Sequence, residues 1–437
     1  MAKKENMKYL IIGNSAAAIG AVEAIRRNDK GSPVTIISDE PHHVYSRPLI
    51  SYLLAGYVTK NKMFYRDENF YRDNNVETVF NKKVTGIDTK KKQAILDDKK
   101  RINYDRLLIA TGGTPFIPPI KGKERKNVYA FTKWSDAAEI IKISTSPIPS
   151  LQKRGVRRKA VVVGAGMIGL KAIEGLNAIG IDVTVVELAP EVLSRALDKD
   201  ASRIVQRKME EAGVEVITNN EVIEITGKGN VANGVVLRDK KKIKCDLVII
   251  AIGVIPNTGF LKGSGIKINR GIVVDEKMET NVKRVYAGGD VAEALNMLTN
   301  EKMPIPIWPL AYRQGEIAGD RMSGGSLVYK GGFPMNSIEF PGAPTISIGI
   351  IDPRGEGYES LIKNDSVNGN YKRIIIKNER LVGAILVGAD VDRAGILTGL
   401  IKEQTPVTSF KDKLLDRNFG FVHMSREHRR EKLEKPI

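Results

Sequence analysis

Apolar and polar positions along this chain spell one arrangement twice. Lys159–Leu176 reads KAVVVGAGMIGLKAIEGL: an apolar run of the kind that forms a buried strand, a glycine turn, then residues that form a helix. IDVTVVE follows, a second strand that ends on Glu187. The opening stretch IIGNSAAAIGAVEAIRR, followed by SPVTIISDE, repeats strand, glycine turn, helix and acid-tipped strand in the same order. A further pair extends the duplication. YDRLLIATGGTPFIP (Tyr104–Pro118) is matched by CDLVIIAIGVIPNT (Cys245–Thr258), each an apolar strand ending in Ala-x-Gly and a proline turn. RVYAGGDVAEA (Arg284–Ala294) predicts a strand that ends in Gly288-Gly289-Asp290 and opens a helix. Trp308–Gly324 predicts a proline-initiated helix. Near the end, KRIIIKNERLVGAILVG predicts two strands around a polar turn, and DRAGILTGLIKEQ a helix.

The two glycine turns carry the chemistry. Gly164, Gly166 and Gly169 stand in full G-x-G-x-x-G spacing, and Glu187 lies 23 positions after Gly164, the separation a dinucleotide-binding unit needs. The first glycine makes the tight turn, the second lets a pyrophosphate approach, and the third lets helix and strand pack closely. In the opening copy these places hold Gly13, Ser15 and Ala18. Gly13 keeps the turn, and Ser15 and Ala18 are the smallest replacements available. The helix N-terminus still offers free N–H groups and a positive dipole end to phosphate. The intact second copy makes the worn first copy legible.

Composition narrows the rest. A chain of 437 residues has room for two or three domains, and its 42% apolar content argues against disorder. No apolar run reaches the roughly 18 residues of a membrane span. MAKKENMKY passes from charge straight into a strand without the apolar region of a signal peptide, so cytoplasm is expected. Cys245 is the one cysteine, which leaves no intrachain disulfide, Cys-x-x-Cys pair or thiolate metal site. With His42, His43, His423 and His428 it makes a poor metal inventory, and no metal is expected. The net charge of +18 suits an acidic partner, or is simply a lysine-rich surface; it is spread in short runs such as Lys90–Lys92 and Lys240–Lys242. Without an aromatic-basic recognition module, nucleic acid is not the expected partner.

Two nucleotide folds, two Ala-x-Gly strands and a Gly-Asp strand together resemble the flavoproteins with two dinucleotide-binding domains, over nearly the whole chain. YSRPLISYLLAGYV (Tyr45–Val58) is most similar to NADH:rubredoxin reductases and the flavoprotein half of assimilatory nitrite reductases, with NADH oxidases slightly more distant. The resemblance implies an α/β fold: two Rossmann-like three-layer dinucleotide-binding domains plus a C-terminal α+β domain. It places FAD in residues 1–120 and 251–325, NAD in 121–250, and a C-terminal domain in 326–437 that builds a homodimer interface.

It also implies roles for residues. In the FAD fold, Gly13, Ser15, Ala16 and Ala17 cradle the pyrophosphate. Asp39 or Glu40 takes the ribose hydroxyls, and spacing does not choose between them. Arg47, before Pro48, suits a pyrophosphate clamp or is a surface arginine. Val84 corresponds to a position whose backbone meets adenine. Ala110, Thr111 and Gly112 pass beside the cofactor, and Asp290, after Gly289, binds a ribityl hydroxyl. The helix near Pro309 and Gln314 aims its N-terminus at the flavin pyrimidine edge. In the NAD fold, Gly164, Gly166, Met167, Ile168 and Gly169 form the phosphate turn, with Gly253 at the matching Ala-x-Gly strand. Glu187 accepts from the adenosine ribose hydroxyls and repels a 2′-phosphate, and no Arg follows it, so NADH is favoured over NADPH.

Two departures bear on function. Disulfide-reducing, peroxidase and oxidase relatives carry a redox cysteine beside the flavin; here that place is Ala55, and Cys245 falls on the predicted strand CDLVIIAIG as buried structure. Many relatives have glutamate at Lys171, near flavin and nicotinamide. The lysine pairs with an acid or with reduced flavin, or is a helix-surface residue. The resulting expectation is an NADH oxidoreductase that passes hydride to FAD and then electrons to an acidic rubredoxin or ferredoxin, or to an iron–sulfur subunit. This chain has no cysteine set for a cluster of its own. An NADH oxidase using oxygen and an NADH-responsive binding module are the rivals.

Overall fold

A computed structural model describes residues 7–145, 157–426 and 429–430; His428 lies outside them. The chain forms two compact units. One takes residues up to Ile50, Val58–Thr114 and Val254–Phe333; the other takes Ser51–Tyr57, Pro115–Gly253 and residues from Pro334 onward. The first crossing, at Ser51–Tyr57, has no counterpart in the sequence reading. Its cause is local: Leu54 is buried against the helix Met167–Ala178, where a Cβ at Gly175 would lie 2.9 Å from Leu54 Cδ2.

The first unit is built on a five-stranded parallel sheet in the order Val285–Ala287, Arg106–Ile109, Tyr9–Ile12, Val34–Ile37, Val76–Val79. Every residue of Tyr9–Ile12 is buried, as a strand covered on both faces requires. Helix Ala16–Asn28 lies against helix Trp308–Met322 at backbone distance. A Cβ at Gly315 would run into Ala17 O, and one at Gly20 into Tyr312 O. Pro309 starts that second helix, as its sequence predicts.

The segment after Asp290 departs from the sequence reading. Ala292–Asn296 is a strand, not the opening of a helix. Its helix-forming residues are overridden by pairing on both sides, parallel to Ile272–Val273 and antiparallel to Glu301–Met303. Glu293 is buried there and accepts from Gly271 N–H (3.1 Å) and Asn269 Nδ2 (3.0 Å).

The second unit repeats the parallel design in the order Glu215–Ile217, Asp182–Val186, Lys159–Val163, Leu247–Ile250, Val128–Tyr129. Cys245 sits just before Leu247–Ile250 rather than on it, and is buried. From Met335 the chain forms a five-stranded antiparallel sheet, in which Asn370–Lys377 and Arg380–Val387 are the two expected strands, with helix Ala394–Glu403 beyond them. Asp198 fastens this sheet to the parallel one. It caps helix Lys199–Glu211 by accepting from Ala201 N–H (3.1 Å), and also accepts from Tyr371 Oη (2.6 Å) and Arg373 Nη1 (3.2 Å). The chain thus adopts the α/β class read from its sequence, with two parallel dinucleotide-type sheets and an antiparallel C-terminal portion. Among the described residues, no helix is long and apolar enough to cross a membrane.

Candidate functional site

In the first unit, strand Tyr9–Ile12 delivers the chain to Gly13 at φ +110°, whose N–H donates to Ile37 O (2.8 Å). A Cβ at Gly13 would collide with Ala110 O, so only glycine fits between the two strand ends. Ser15 caps the helix with extended backbone (φ −143°) that any residue adopts, and its side chain makes no capping bond. The same holds at Gly166, where φ is −77° and a Cβ would meet nothing within 4 Å. The protein itself therefore does not demand glycine at this second position. Serine can therefore stand at this place in one copy and glycine in the other.

Three other segments converge on this turn. Gly289 (φ +80°) is wedged beside the helix start, where a Cβ would lie 3.4 Å from Ala17 Cβ and 3.5 Å from Ala311 Cβ. Its N–H donates to Gln314 Oε1 (2.9 Å), and Gln314 is only 2% exposed. Gln314 thus fixes the Gly289-Asp290 turn from within, a role its sequence position did not announce. Burial pushes the Asp290 carboxyl above its ordinary range, while Arg47 pulls it down. Thr111 Oγ1 donates to Asn257 O (3.0 Å), and Gly112 O accepts from Asn257 N–H (2.9 Å).

The acidic end of Val34–Ile37 resolves into three different residues. Ile37 and Val186 play the same part, each accepting from its turn glycine. The residue after each, Ser38 and Glu187, donates its N–H to the next strand, to Val79 O (3.1 Å) and Ile217 O (2.8 Å). Ser38 is therefore the counterpart of Glu187, a residue the sequence reading passed over; laying VTIIS over VTVVE would have found it. Asp39 is exposed. Glu40 is buried and accepts from Tyr45 Oη (2.7 Å) and from Arg47 Nη2. Burial alone would lower the Arg47 pKa, but Tyr45 and Glu40 outweigh it and raise it. Pro48 is exposed on the short turn Arg47–Leu49. Val84 is buried at the start of strand Val84–Asp88, two residues after Lys82 donates its N–H to Ser38 O (3.0 Å).

The second unit presents the intact fingerprint. Gly164 (φ +101°) faces Ala251 O, 2.7 Å from where a Cβ would stand, and a Cβ at Gly169 would run into Gly164 O. Met167 and Ile168 open the helix, half-buried. Gly253 sits at φ +127° with its carbonyl accepting from Phe116 N–H (3.0 Å). The Glu187 carboxylate folds toward the turn: Oε2 accepts from Ala165 N–H (2.6 Å) and Oε1 from Ala189 N–H (2.8 Å). Lys171 takes the first of its three options and pairs with an acid. Its Nζ lies 2.6 Å from Glu174 Oε2 and 3.2 Å from Glu339 O, and 5.2 Å from the centre of the Tyr52 ring.

The remaining candidates are quickly placed. Ala55 is half-buried just past helix Ile50–Leu54. Burial pushes the Cys245 thiol up to about 12, with Asp246 adding to the shift. The His43 ring packs 4.5 Å from Tyr71. No group of three or more His, Cys, Asp or Glu among the described residues could hold a metal ion.

Comparison with known proteins meets this geometry from outside. Residues 7–315 match the family model described as pyridine nucleotide-disulphide oxidoreductase, and residues 334–405 match the rubredoxin NAD+ reductase C-terminal domain. The chain is 32% identical over 410 residues to the NAD(P)H nitrite reductase of Bacillus subtilis (strain 168), covering 93% of this chain and 48% of that protein, so it spans about half of that relative. It is 31% identical over 417 residues to the NADH-dependent phenylglyoxylate dehydrogenase subunit epsilon of Aromatoleum evansii, covering 94% and 95% of the two chains. Among solved structures, an NAD-dependent persulfide reductase from A. fulgidus superposes with a TM-score of 0.82 at 26% identity, over 92% of this chain and 78% of that one. The chain belongs to the pyridine nucleotide-disulphide oxidoreductase family, as an oxidoreductase that uses FAD and a nicotinamide nucleotide.

Proposed function

We propose that this chain takes reducing equivalents from NADH through FAD and delivers them to an acidic iron carrier of the rubredoxin or ferredoxin type, or to an iron–sulfur partner subunit. The observation that carries the reading is the placing of sulfur. The one cysteine is buried with its thiol held up to about 12, and the sequence has no second cysteine to stand beside a flavin. No thiolate relay is on hand, so electrons leave from the flavin directly.

Bound FAD would supply the redox chemistry, accepting two electrons as hydride and releasing them singly. This chain's residues bind and orient. The Gly13 turn and the N–H groups of Ala16 and Ala17 would hold the pyrophosphate, with Arg47 as counter-charge. Asp290 would take a ribityl hydroxyl, its turn held by Gln314. Ser38, Asp39 and Glu40 compete for the adenosine ribose. Of these, Glu40 accepts from Tyr45 and Arg47, and Ser38 Oγ accepts from Glu40 N–H (3.2 Å). Helix Trp308–Met322 would turn its positive N-terminal end toward the flavin and stabilise negative charge on it. The second unit would hold NADH on Gly164, Gly166 and Gly169, with Glu187 reading the ribose. The net charge of +18 favours encounter with an acidic carrier. The Aromatoleum evansii relative is by its name one subunit of a larger enzyme, which supports a separate partner chain.

The test is an anaerobic titration of the purified protein with NADH, then NADPH, followed at the flavin absorbance. Bleaching by NADH at much the lower concentration, with fast reoxidation by rubredoxin or ferredoxin and slow reoxidation by oxygen, is the expected result. Oxygen as the fastest acceptor would make the chain an oxidase; a yellow protein that neither nucleotide bleaches would end the reductase reading. Cys245→Ser should change NADH turnover by less than about twofold, since a thiol that stays protonated at neutral pH supplies no nucleophile. A loss of tenfold or more in that variant, with its melting temperature unchanged, would restore a redox role to sulfur.

A further inference from the structure

The first unit holds an open recess of about 580 Å³ whose lining includes five cations, Arg106, Lys277, Lys283, Arg284 and Arg321, and the single carboxylate of Glu279. It lies at the wrong end of the sheet for a cofactor. Arg106 begins strand Arg106–Ile109, and Arg284 immediately precedes Val285–Ala287. These strands are parallel neighbours, with Val285 paired to Leu107, so the two arginines stand side by side at the amino edge. Gly13 leaves the same sheet at its carboxyl edge, four residues of strand and about 13 Å away. Ligands of open α/β sheets ordinarily bind at the carboxyl edge.

The charges here are little neutralised from within. Glu279 pairs with Lys283 at 3.5 Å, and that lysine side chain is 90% exposed. Glu279 also accepts from the backbone N–H of Arg284 (2.7 Å), and Arg284 is among the lining residues. Arg321 donates to Gly325 O (3.1 Å), a carbonyl rather than a carboxylate. Arg106 donates to the buried Tyr286 hydroxyl, yet its Nε–H is buried with no acceptor. An unmet arginine N–H beneath a recess is costly unless an acceptor arrives. Arg284 holds φ +67°, a left-handed backbone that an arginine adopts only at some cost.

We propose that this cavity binds a small polyanion bearing phosphate groups, of the pyrophosphate or tripolyphosphate class, at a site separate from both dinucleotide turns. Five cations against one carboxylate match an anion of three or four negative charges. Guanidinium forks from two adjacent strands suit the paired oxygens of phosphate. The five cations are gathered in one open recess, a span that suits a small anion.

The test uses the FAD-loaded full chain and tripolyphosphate as the probe, by titration calorimetry, with sodium sulfate at matched ionic strength as control. Saturable binding of one tripolyphosphate per chain is expected, weakening at least about tenfold between 50 and 500 mM NaCl as screening sets in. Arg284→Gly with Lys283→Glu should weaken it a further tenfold or more. Both positions are exposed, and glycine relieves the left-handed backbone, so the fold should survive; an unchanged melting temperature verifies this. Saturating tripolyphosphate should leave the KM for NADH unchanged. Absence of saturable binding, sulfate binding as tightly at matched ionic strength, equal affinity in the double variant, or competition with NADH would each overturn the proposal. Competition would move the anion to the Gly164 turn. If the variant raises the KM for an acidic carrier while tripolyphosphate does not bind wild type, the patch is a docking surface instead.

Discussion

Replacing Glu187 with alanine should lower kcat/KM for NADH by about 10- to 100-fold while NADPH changes by less than about threefold, because charge-assisted hydrogen bonds contribute about 1.5–3 kcal/mol and each 1.4 kcal/mol is tenfold. The carboxylate stands at the end of strand Asp182–Val186, beside the phosphate turn, and is followed by Leu188, Ala189 and Pro190. Nothing in that run offers a cation to a 2′-phosphate. Two hydroxyls of NADH would gain an anionic acceptor; the phosphate of NADPH would meet a like charge. Removing the charge loses the first effect and relieves the second, so the preference collapses from the NADH side. Glu187 has a second engagement, since it accepts from Ala165 and Ala189 N–H. Steady-state kinetics with both nucleotides separates the two roles. Equal losses for NADH and NADPH would mean that Glu187 only braces the turn, and the basis for NADH selection would fall. Glu187→Gln, which keeps the shape and drops the charge, should sit between wild type and alanine with NADH.

Much of this site is legible in the sequence because dinucleotide turns are local. A strand, a glycine and a helix start are contiguous in the chain, and the acid follows one helix later, so periodicity and spacing find all four. What is not local stays hidden. Ser38 stays hidden because the acidic residues one and two steps on, Asp39 and Glu40, are the obvious ribose candidates, although the hydrogen bonds of Ile37 and Ser38 reproduce those of Val186 and Glu187. The residues of Ala292–Asn296 favour a helix, and only partner strands from before Asp290 and after Asn296 override them. Gln314 lies on the helix its sequence predicts, but nothing nearby in sequence says that it turns inward to Gly289. The cationic cavity is the extreme case. Its residues run from Arg106 to Arg321 and meet only because two distant strands are neighbours in a parallel sheet.

Gly13→Ala should yield protein that purifies without flavin, and this is the largest single-residue effect the structure implies. The added methyl would meet Ala110 O, with Ala110 C at 2.6 Å and Thr111 N at 3.2 Å, all of them backbone. A flexible side chain can swing away; the end of a central strand cannot. The backbone conformation adds its own cost, since a non-glycine residue held at φ +110° is strained by about 1–3 kcal/mol. The turn would have to open, carrying the helix N-terminus and its N–H groups away from the pyrophosphate. Ser15→Gly restores the full fingerprint at a position whose backbone is extended and whose side chain makes no cap, so its flavin content should equal wild type. Gly31→Ala, where an added Cβ meets nothing within 4 Å, controls for loss of glycine itself. The readouts are the ratio of flavin to protein absorbance and the binding of NADH, which the second unit should retain if Gly13→Ala damages only the first turn. Wild-type flavin content in Gly13→Ala would show that the strand ends give way easily, and the close approach of Gly13 to Ala110 would then not explain why the opening copy kept this one glycine of three.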